Sequence, residues 1–489
     1  MQRKSNKKSL NILLSSHNMD YPKLGFKCGL EVHGQLDVGK LFCECEGRLR
    51  KDKPHFTVNR KLRAMAGESG YIDAAAAHAQ AKGLRYVYEG YNDTTCLVEL
   101  DEEPPHTVNK EALDAALTIA TILHCDIADY VQVMRKTIVD GTNVSGFQRT
   151  SMIATNGYIE VGGDKISIIF VGLEEDAARR TAEDKETVTY RLDRLGIPLV
   201  EIATGPDIKT PEQAKAVALA IGMLIRATGK AMRGIGTIRQ DVNVSIKNHP
   251  RIELKGFQDL KSMPETIKRE VKRQQEVLYK KEKLESHVRN AKPDFTSKYL
   301  RPMPGSARMY PETDLTLIPI SRDKRADIEK RLPELPDVKF NRLLKAGLND
   351  VLASQVLFDD QFAYLHKKFK KLDPKLIATT LLSTQKEARK KADQDEGNFQ
   401  QEHFEEIFKL LQDGKISKEA VLDMLVEVAK GETVASAAKK FKLMSDVELK
   451  KEIAKLKKKF AKVPENKLKG IVIGNLRGKA DIQKIMKFL

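Results

Sequence analysis

Between Tyr21 and Ile320 apolar residues recur at every second position in short runs, the period of a strand with one face buried. In Gly29–Gln35, Glu31, His33 and Gln35 share one face and Leu30 and Val32 the other. Pro198–Ala203 sets Glu201 between Val200 and Ile202. In Arg239–Ser245, Asp241, Asn243 and Ser245 oppose Val242 and Val244; in Arg251–Lys255, Glu253 and Lys255 oppose Ile252 and Leu254. A strand Ile166–Val171 leads into Leu173-Glu-Glu-Asp176, and Tyr158–Ile166 predicts a hairpin turning on Gly162-Gly163. Helical spacing replaces this period in Pro211–Thr228, through Ala214, Val217, Ala218, Ile221 and Leu224. A charged helix is predicted from Pro264 to His287, with Ile267, Val271, Val277 and Leu278 on its stripe.

After Ser321 the texture changes to Lys, Leu, Glu and Ala in amphipathic helices, among them Asp359–Lys391 and Glu448–Phe460, with a polar linker from Ala392 to Gln401 around Gly397. The fold class expected is α+β: a mixed α/β part with a largely antiparallel sheet, then helical parts. Segment 401–489 carries 20 Lys/Arg against 13 Asp/Glu. Over 489 residues, 85 Lys/Arg against 68 Asp/Glu leave +17, which points to a polyanionic partner, nucleic acid first, or else to a lysine-rich solvated surface. No apolar run approaches the roughly 20 residues of a membrane span, so no integral membrane protein is expected. Residues 1–18 are basic and lack the apolar core of a secretory signal, and Met19 is an alternative start.

Five cysteines, an odd number, argue against a disulfide framework and for a reducing cytosol. Cys43 and Cys45 form a CxC. Structural zinc usually takes four ligands as two such pairs, and no second close pair follows, so the sequence leaves zinc here open.

If the strands share a sheet, one face gathers Glu31, His33, Glu201, Asp241 and Glu253, with Arg239 and Lys255 beside them. Such carboxylates repel one another unless they meet a cation, and Mg²⁺, which takes oxygen ligands, suits them. The competing reading is an ordinary half-exposed sheet with polar residues outward. Gly34–Leu41 matches G-x4-G-K, but a phosphate loop needs Ser or Thr where Leu41 stands, so that match is rejected. Ser306 has no evident base beside it, and neither a G-x-S-x-G elbow nor H-E-x-x-H occurs.

A set of longer words carries a resemblance. They are Gly29-Leu-Glu-Val-His33 with Lys40-Leu-Phe-Cys43, Leu62-Arg-Ala-Met-Ala-Gly-Glu68, and Cys96-Leu-Val-Glu-Leu-Asp-Glu-Glu-Pro-Pro105. Asp140–Thr150, Leu173–Ala177, Gly196–Ile202, Arg233–Ser245 and Arg301–Asp314 continue it, and Lys469–Ala480 matches more weakly. The chain resembles the B/E family of tRNA-dependent amidotransferase subunits. Ser-Gly-Phe-Gln-Arg-Thr150 and Ala-Arg-Met-Tyr-Pro-Glu-Thr-Asp314 favour the E branch over the bacterial B branch.

The resemblance implies a basic tail (1–20), a kinase-like cradle domain (21–320), a helical domain (321–400) and a helical tRNA-binding tail (401–489). It implies a carbon–nitrogen ligase. ATP, with Mg²⁺, phosphorylates the side chain of glutamate carried on tRNA(Gln), and ammonia from a separate asparaginase-like (GatD-like) subunit displaces the phosphate. Carried over by position, Glu31 and His33 match the family's metal motif. Glu174 or Glu175, Glu201, Asp241 and Glu253 match acidic positions near metal and nucleotide, with Glu31, His33, Asp241 and Glu253 as the catalytic set. Arg239, Lys255 and Arg149 are the candidates for phosphate contacts. The usual large insert of the E branch is missing between the charged helix and Arg301. The alternatives are a B-type subunit working with an amidase partner, and a non-catalytic RNA-binding relative.

Overall fold

The computed structural model describes residues 19–489 except 67–69, 258, 304–308, 395–398, 461–462, 477, 479 and 481. The basic segment 1–18, Gly67 and Glu68, Ser306, Gly397 and Arg477 lie outside the described residues. The chain divides into two compact units after Pro333.

The first unit is built on an 11-stranded sheet. Its centre holds β1 (Lys27–Gln35), β2 (Phe147–Val161), β3 (Asp164–Glu175), β4 (Pro198–Thr204), β5 (Ile238–Ser245) and β6 (Ile252–Lys255), in the order β6-β5-β1-β4-β3-β2. These neighbours are all antiparallel. The sheet's parallel pair joins β6 to His287–Ala291. The α+β expectation therefore holds.

The alternation explains the layering. Leu30, Val32, Val200, Ile202, Val242, Val244, Ile252 and Leu254 are buried in one core. Three helices bring their own buried stripes to it: α1 (Lys110–Ile122), α2 (Pro211–Ala227) and α3 (Met263–Lys280). Thr210 caps α2 through the amide of Gln213, and Pro211 opens it with no lost donor. The predicted hairpin exists: Gly162 (φ 63°) and Gly163 (φ 85°) join β2 to β3. A four-stranded sheet, Phe56–Arg60, Arg85–Gly90, Thr187–Arg191 and Arg179–Glu183, packs around Tyr86, Tyr88 and Tyr190.

Three expectations are corrected. α3 stops at Lys280, because Lys281 turns left-handed (φ 55°), and His287–Ala291 is a strand instead of helix end. Beyond Val171 the chain stays extended through Glu175, so Leu173-Glu-Glu belongs to β3. Asp359–Lys391 is not one helix: Asp360–Lys368 ends at Phe369, and Pro374 starts the next, which runs on through a π turn at Thr380–Thr384.

In the second unit every described element is helical, from Pro336–Lys345 to Ile482–Phe488. Ser445 and Glu448 form a capping box on Asp446–Lys459, whose Leu449, Ile453 and Leu456 pack with Val472, Leu476 and Ile485.

Candidate active site: two carboxylate groups on one strand

β1 is flanked by β4 and β5 and carries both halves of the site. Its register sets His33 opposite Glu201 on one side and Arg239 on the other, and Glu31 opposite Asp241. Residues directly opposite share a face, so the strand pairing itself gathers these side chains.

Two potential ligand groups result. In the first, the Nε2 atom of His33 lies 3.5 Å from Glu201 and 3.7 Å from Glu174. In the second, Glu31, Asp241 and Glu253 converge. Within each group one ligand atom per residue lies within 4.8 Å of every other. Asn243 donates to Glu31 Oε1 at 2.9 Å, while its own Oδ1 is buried with no hydrogen-bond partner. That orphaned oxygen, amid three carboxylates, fits a hard cation.

Basic groups neutralise the cluster. Lys255 Nζ reaches Asp241 at 2.5 Å and Glu253 at 2.6 Å, and Lys136 Nζ reaches Glu174 at 2.7 Å. Burial would push the His33 imidazole down, but Glu201, Glu174 and Asp241 outweigh it and hold it at about 9. Glu201 is likewise raised by burial yet ends at about 2, because His33 and the lysines favour its charged form. Glu31 is raised, by burial first and then by Glu253 and Glu201. The protein thus holds charge that a bound cation would relieve.

A cavity of about 1350 Å³ opens on this face, lined by His33, Glu174, Asp241, Lys255 and Arg239 among others. Arg239 donates to Asp176 at 2.9 Å, with its side chain 40% exposed and its Nε without a partner. Asp176 is fixed in turn by Gln35 at 2.6 Å.

The predicted residues do not all meet here. Glu175 joins neither ligand group: next to Glu174 on β3, it is paired with Arg149 at 3.5 Å. Arg149 is buried and held by the buried Glu312 at 2.8 Å, which Arg135 also grips at 2.5 Å. Arg149 is therefore a core tether in this structure and lines neither the cavity nor a ligand group. Lys40 of the rejected phosphate-loop match is buried, with Nζ on the Thr94 and Leu192 carbonyls and Glu99. Sequence reasoning missed Lys136, Asn243 and Asp176 as site residues. Asn243 and Asp176 lay in words already singled out, whereas nothing in the sequence marked Lys136.

A sequence model described as the GatB/GatE catalytic domain matches residues 26–326. The chain belongs to the GatB/GatE family. Family relatives match over nearly all of its length. The E-type chain of the glutamyl-tRNA(Gln) amidotransferase of Methanocaldococcus jannaschii is 36% identical, over 95% of this chain and 97% of its own. Its counterparts of the same name in Sulfurisphaera tokodaii and Pyrobaculum aerophilum are 34% and 33% identical, each over 96% of this chain and 99% of their own. The first alignment runs over 614 positions against 489 residues here, so that GatB/GatE relative carries segments with no counterpart in this chain.

Proposed function

We propose that the chain is the tRNA-binding, ATP-dependent transamidase subunit of a glutamyl-tRNA(Gln) amidotransferase. The observation that carries the reading is the pair of ligand groups on β1, opening together onto one large cavity edged by Arg239 and Lys255. The names of relatives that match almost end to end support the substrate.

The chemistry explains the residue types. A side-chain carboxylate cannot be displaced by ammonia, because its leaving group would be oxide. Transfer of the γ-phosphoryl group of ATP to the glutamate γ-carboxylate forms an acyl phosphate and releases ADP. Ammonia then adds to that carbonyl and inorganic phosphate leaves, which gives the amide. Both donor and acceptor are anions, so the site must offset their repulsion. His33, Glu174 and Glu201 would hold one magnesium ion, and Glu31, Asp241, Glu253 and the Asn243 oxygen a second. Magnesium would supply charge neutralisation at the phosphates. Arg239 lines the cavity and suits a phosphate oxygen, while Asp176 and Gln35 fix its angle.

Apolar side chains also line the cavity, among them Leu219, Met223, Ile235, Phe257 and Leu260. β5 pairs with β6 only from Val242 to Val244, so Ile238–Asp241, paired with β1 on its other side, has no β6 residue beside it and lines the same space. Apolar side chains beside a strand edge suit a purine base.

Ammonia would come from a separate asparaginase-like subunit, and the lysine-rich helices of the second unit would take the tRNA backbone. The test supplies ammonium directly with ATP, Mg²⁺ and Glu-tRNA(Gln), and follows Gln-tRNA formation. Glu31→Ala and Asp241→Ala are expected to abolish turnover while tRNA binding survives. Full activity in Glu31→Ala would overturn the reading.

A further inference from the structure

A second cavity, of about 450 Å³, lies against the first. Leu300 lines both. Asp176 and Ala177 line the first and Ala178 the second, so this short stretch is a wall between them. Asp176, just past β3, is buried, and both of its oxygens are engaged. Oδ1 accepts from Arg239 at 2.9 Å and from the Ala177 amide at 2.8 Å. Oδ2 accepts from Gln35 at 2.6 Å and lies 3.7 Å from Arg194 Nε. Arg239 lines the first cavity and Arg194 the second. One buried carboxylate thus serves two arginines on opposite sides of a wall.

Arg194 is held to that wall by its fork. Nε donates to the Ala177 carbonyl at 2.8 Å and Nη2 to the Ala178 carbonyl at 3.0 Å. The turn that bears it is locked to the same stretch. The Asp176 amide donates to the Ile197 carbonyl at 2.7 Å, and the Gly196 amide to the Asp176 carbonyl at 3.0 Å. The preceding Asp193 is buried and gripped by Arg179 at 2.6 Å and the Arg50 amide at 2.8 Å. The geometry of Arg194 is therefore fixed from both sides, although it touches neither ligand group and does not line the first cavity.

Charge gives this arrangement a consequence. If Arg239 alone faced Asp176, the pair would be neutral and the guanidinium would be drawn into the wall. With Arg194 beside the other oxygen, the three groups carry one net positive charge, and the surplus falls to the arginine that lines the first cavity. Burial works against the Arg194 charge, Asp176 favours it and Arg239 opposes it, so the two guanidinium groups sense each other across the carboxylate.

We propose that Arg194 is a positioning residue for phosphoryl transfer. Through Asp176 it sets the angle and the available charge of Arg239, and it touches neither ATP nor the aminoacyl group. This rests on the transamidase reading above.

The test uses the full chain with ATP, Mg²⁺, ammonium and Glu-tRNA(Gln). Arg194→Ala is expected to lower kcat/KM for ATP at least about tenfold and to leave KM for the tRNA within about twofold. Arg194→Ala combined with Arg239→Met should lose no more than about twofold beyond Arg239→Met alone, since the link is already cut. The Arg194 side chain is 25% exposed, so its removal opens a gap to the second cavity. Guanidinium ion, far below denaturing concentration, should restore activity to Arg194→Ala, and neutral urea should not. Should Arg194→Ala fail to fold, Arg194→Lys, which keeps the charge but not the fork, carries the same double-variant comparison. Full activity in the single variant, losses that multiply in the double variant, a raised KM for tRNA in place of ATP, or equal restoration by urea would each overturn the proposal. An inactive parent would instead sink the transamidase reading, and this inference with it.

Discussion

His33 and Glu201 face each other across an antiparallel pair, with Nε2 3.5 Å from the carboxylate, on strands whose opposite faces are fully buried. Neither strand can shift without exposing Val32 and Ile202, so the core fixes this contact. Glu201→Gln keeps the shape and removes the charge. It is expected to lower turnover at least about a hundredfold, with magnesium half-saturation moved to higher concentration and tRNA affinity unchanged. Initial rates at several magnesium concentrations check this.

Lys136→Met is a test of the residue that the sequence did not reveal. It frees Glu174 from its 2.7 Å partner but leaves the ligand set whole. The expected outcome is a raised KM for ATP and a smaller loss in kcat than Glu201→Gln gives, read from steady-state rates with tRNA saturating.

Glu312 is fully buried between Arg135 and Arg149. Burial alone would raise its carboxyl, but Arg135, the Asp314 amide and Arg149 hold it below the usual range. A depressed folded value means that its stabilisation is complete above the unfolded value, about 4.3, and fades as pH falls through the folded one. Glu312→Gln takes the shared carboxylate from the buried Arg149 and the partly exposed Arg135, leaving them Glu175 at 3.5 Å and Asp314 at 3.1 Å, and is expected to cost about 1–3 kcal/mol at pH 7. The gap to the parent should narrow below about pH 4. Urea unfolding across pH measures it.

Gly157 lies on β2 against the turn after α1. A Cβ there would press on Cys125 Sγ and sit 2.6 Å from the Leu123 carbonyl. Gly157→Ala is expected to destabilise by about 1–3 kcal/mol, seen as a lower thermal midpoint, while the folded fraction keeps its turnover.

The helix Asp446–Lys459 carries Lys450, Lys451, Lys455, Lys457, Lys458 and Lys459, with Leu449, Ile453 and Leu456 turned inward. Replacing Lys451, Lys455 and Lys458 by Gln should weaken tRNA binding and flatten its salt dependence by about one unit per lost phosphate contact. Turnover at saturating tRNA should stay. Filter binding at several salt concentrations checks both.

Local patterns made much of the fold legible. Alternation in Gly29–Gln35 and Arg239–Ser245 assigned faces correctly, because each strand has one side packed against helices. The division between Glu174 and Glu175 was not legible. It depends on whether the chain stays extended past Val171, and pairing with β2 and β4 decides that. The end of α3 was hidden too, since a left-handed Lys281 carries no glycine to announce it. Cys96 and Glu99 come within 4.8 Å of Cys43 and Cys45 through folding at long range, which no spacing rule covers.

Glu31 and His33 stand two residues apart on β1, and each recruits its companions from the strands on either side. Displace that strand by one step and both constellations vanish together, since Asp241 would confront Leu30 or Val32, and Glu201 would confront Val32 or Gly34. A misassembled copy would therefore be wholly inert, and a slow, error-prone modifier of aminoacylated RNA could not arise by that route.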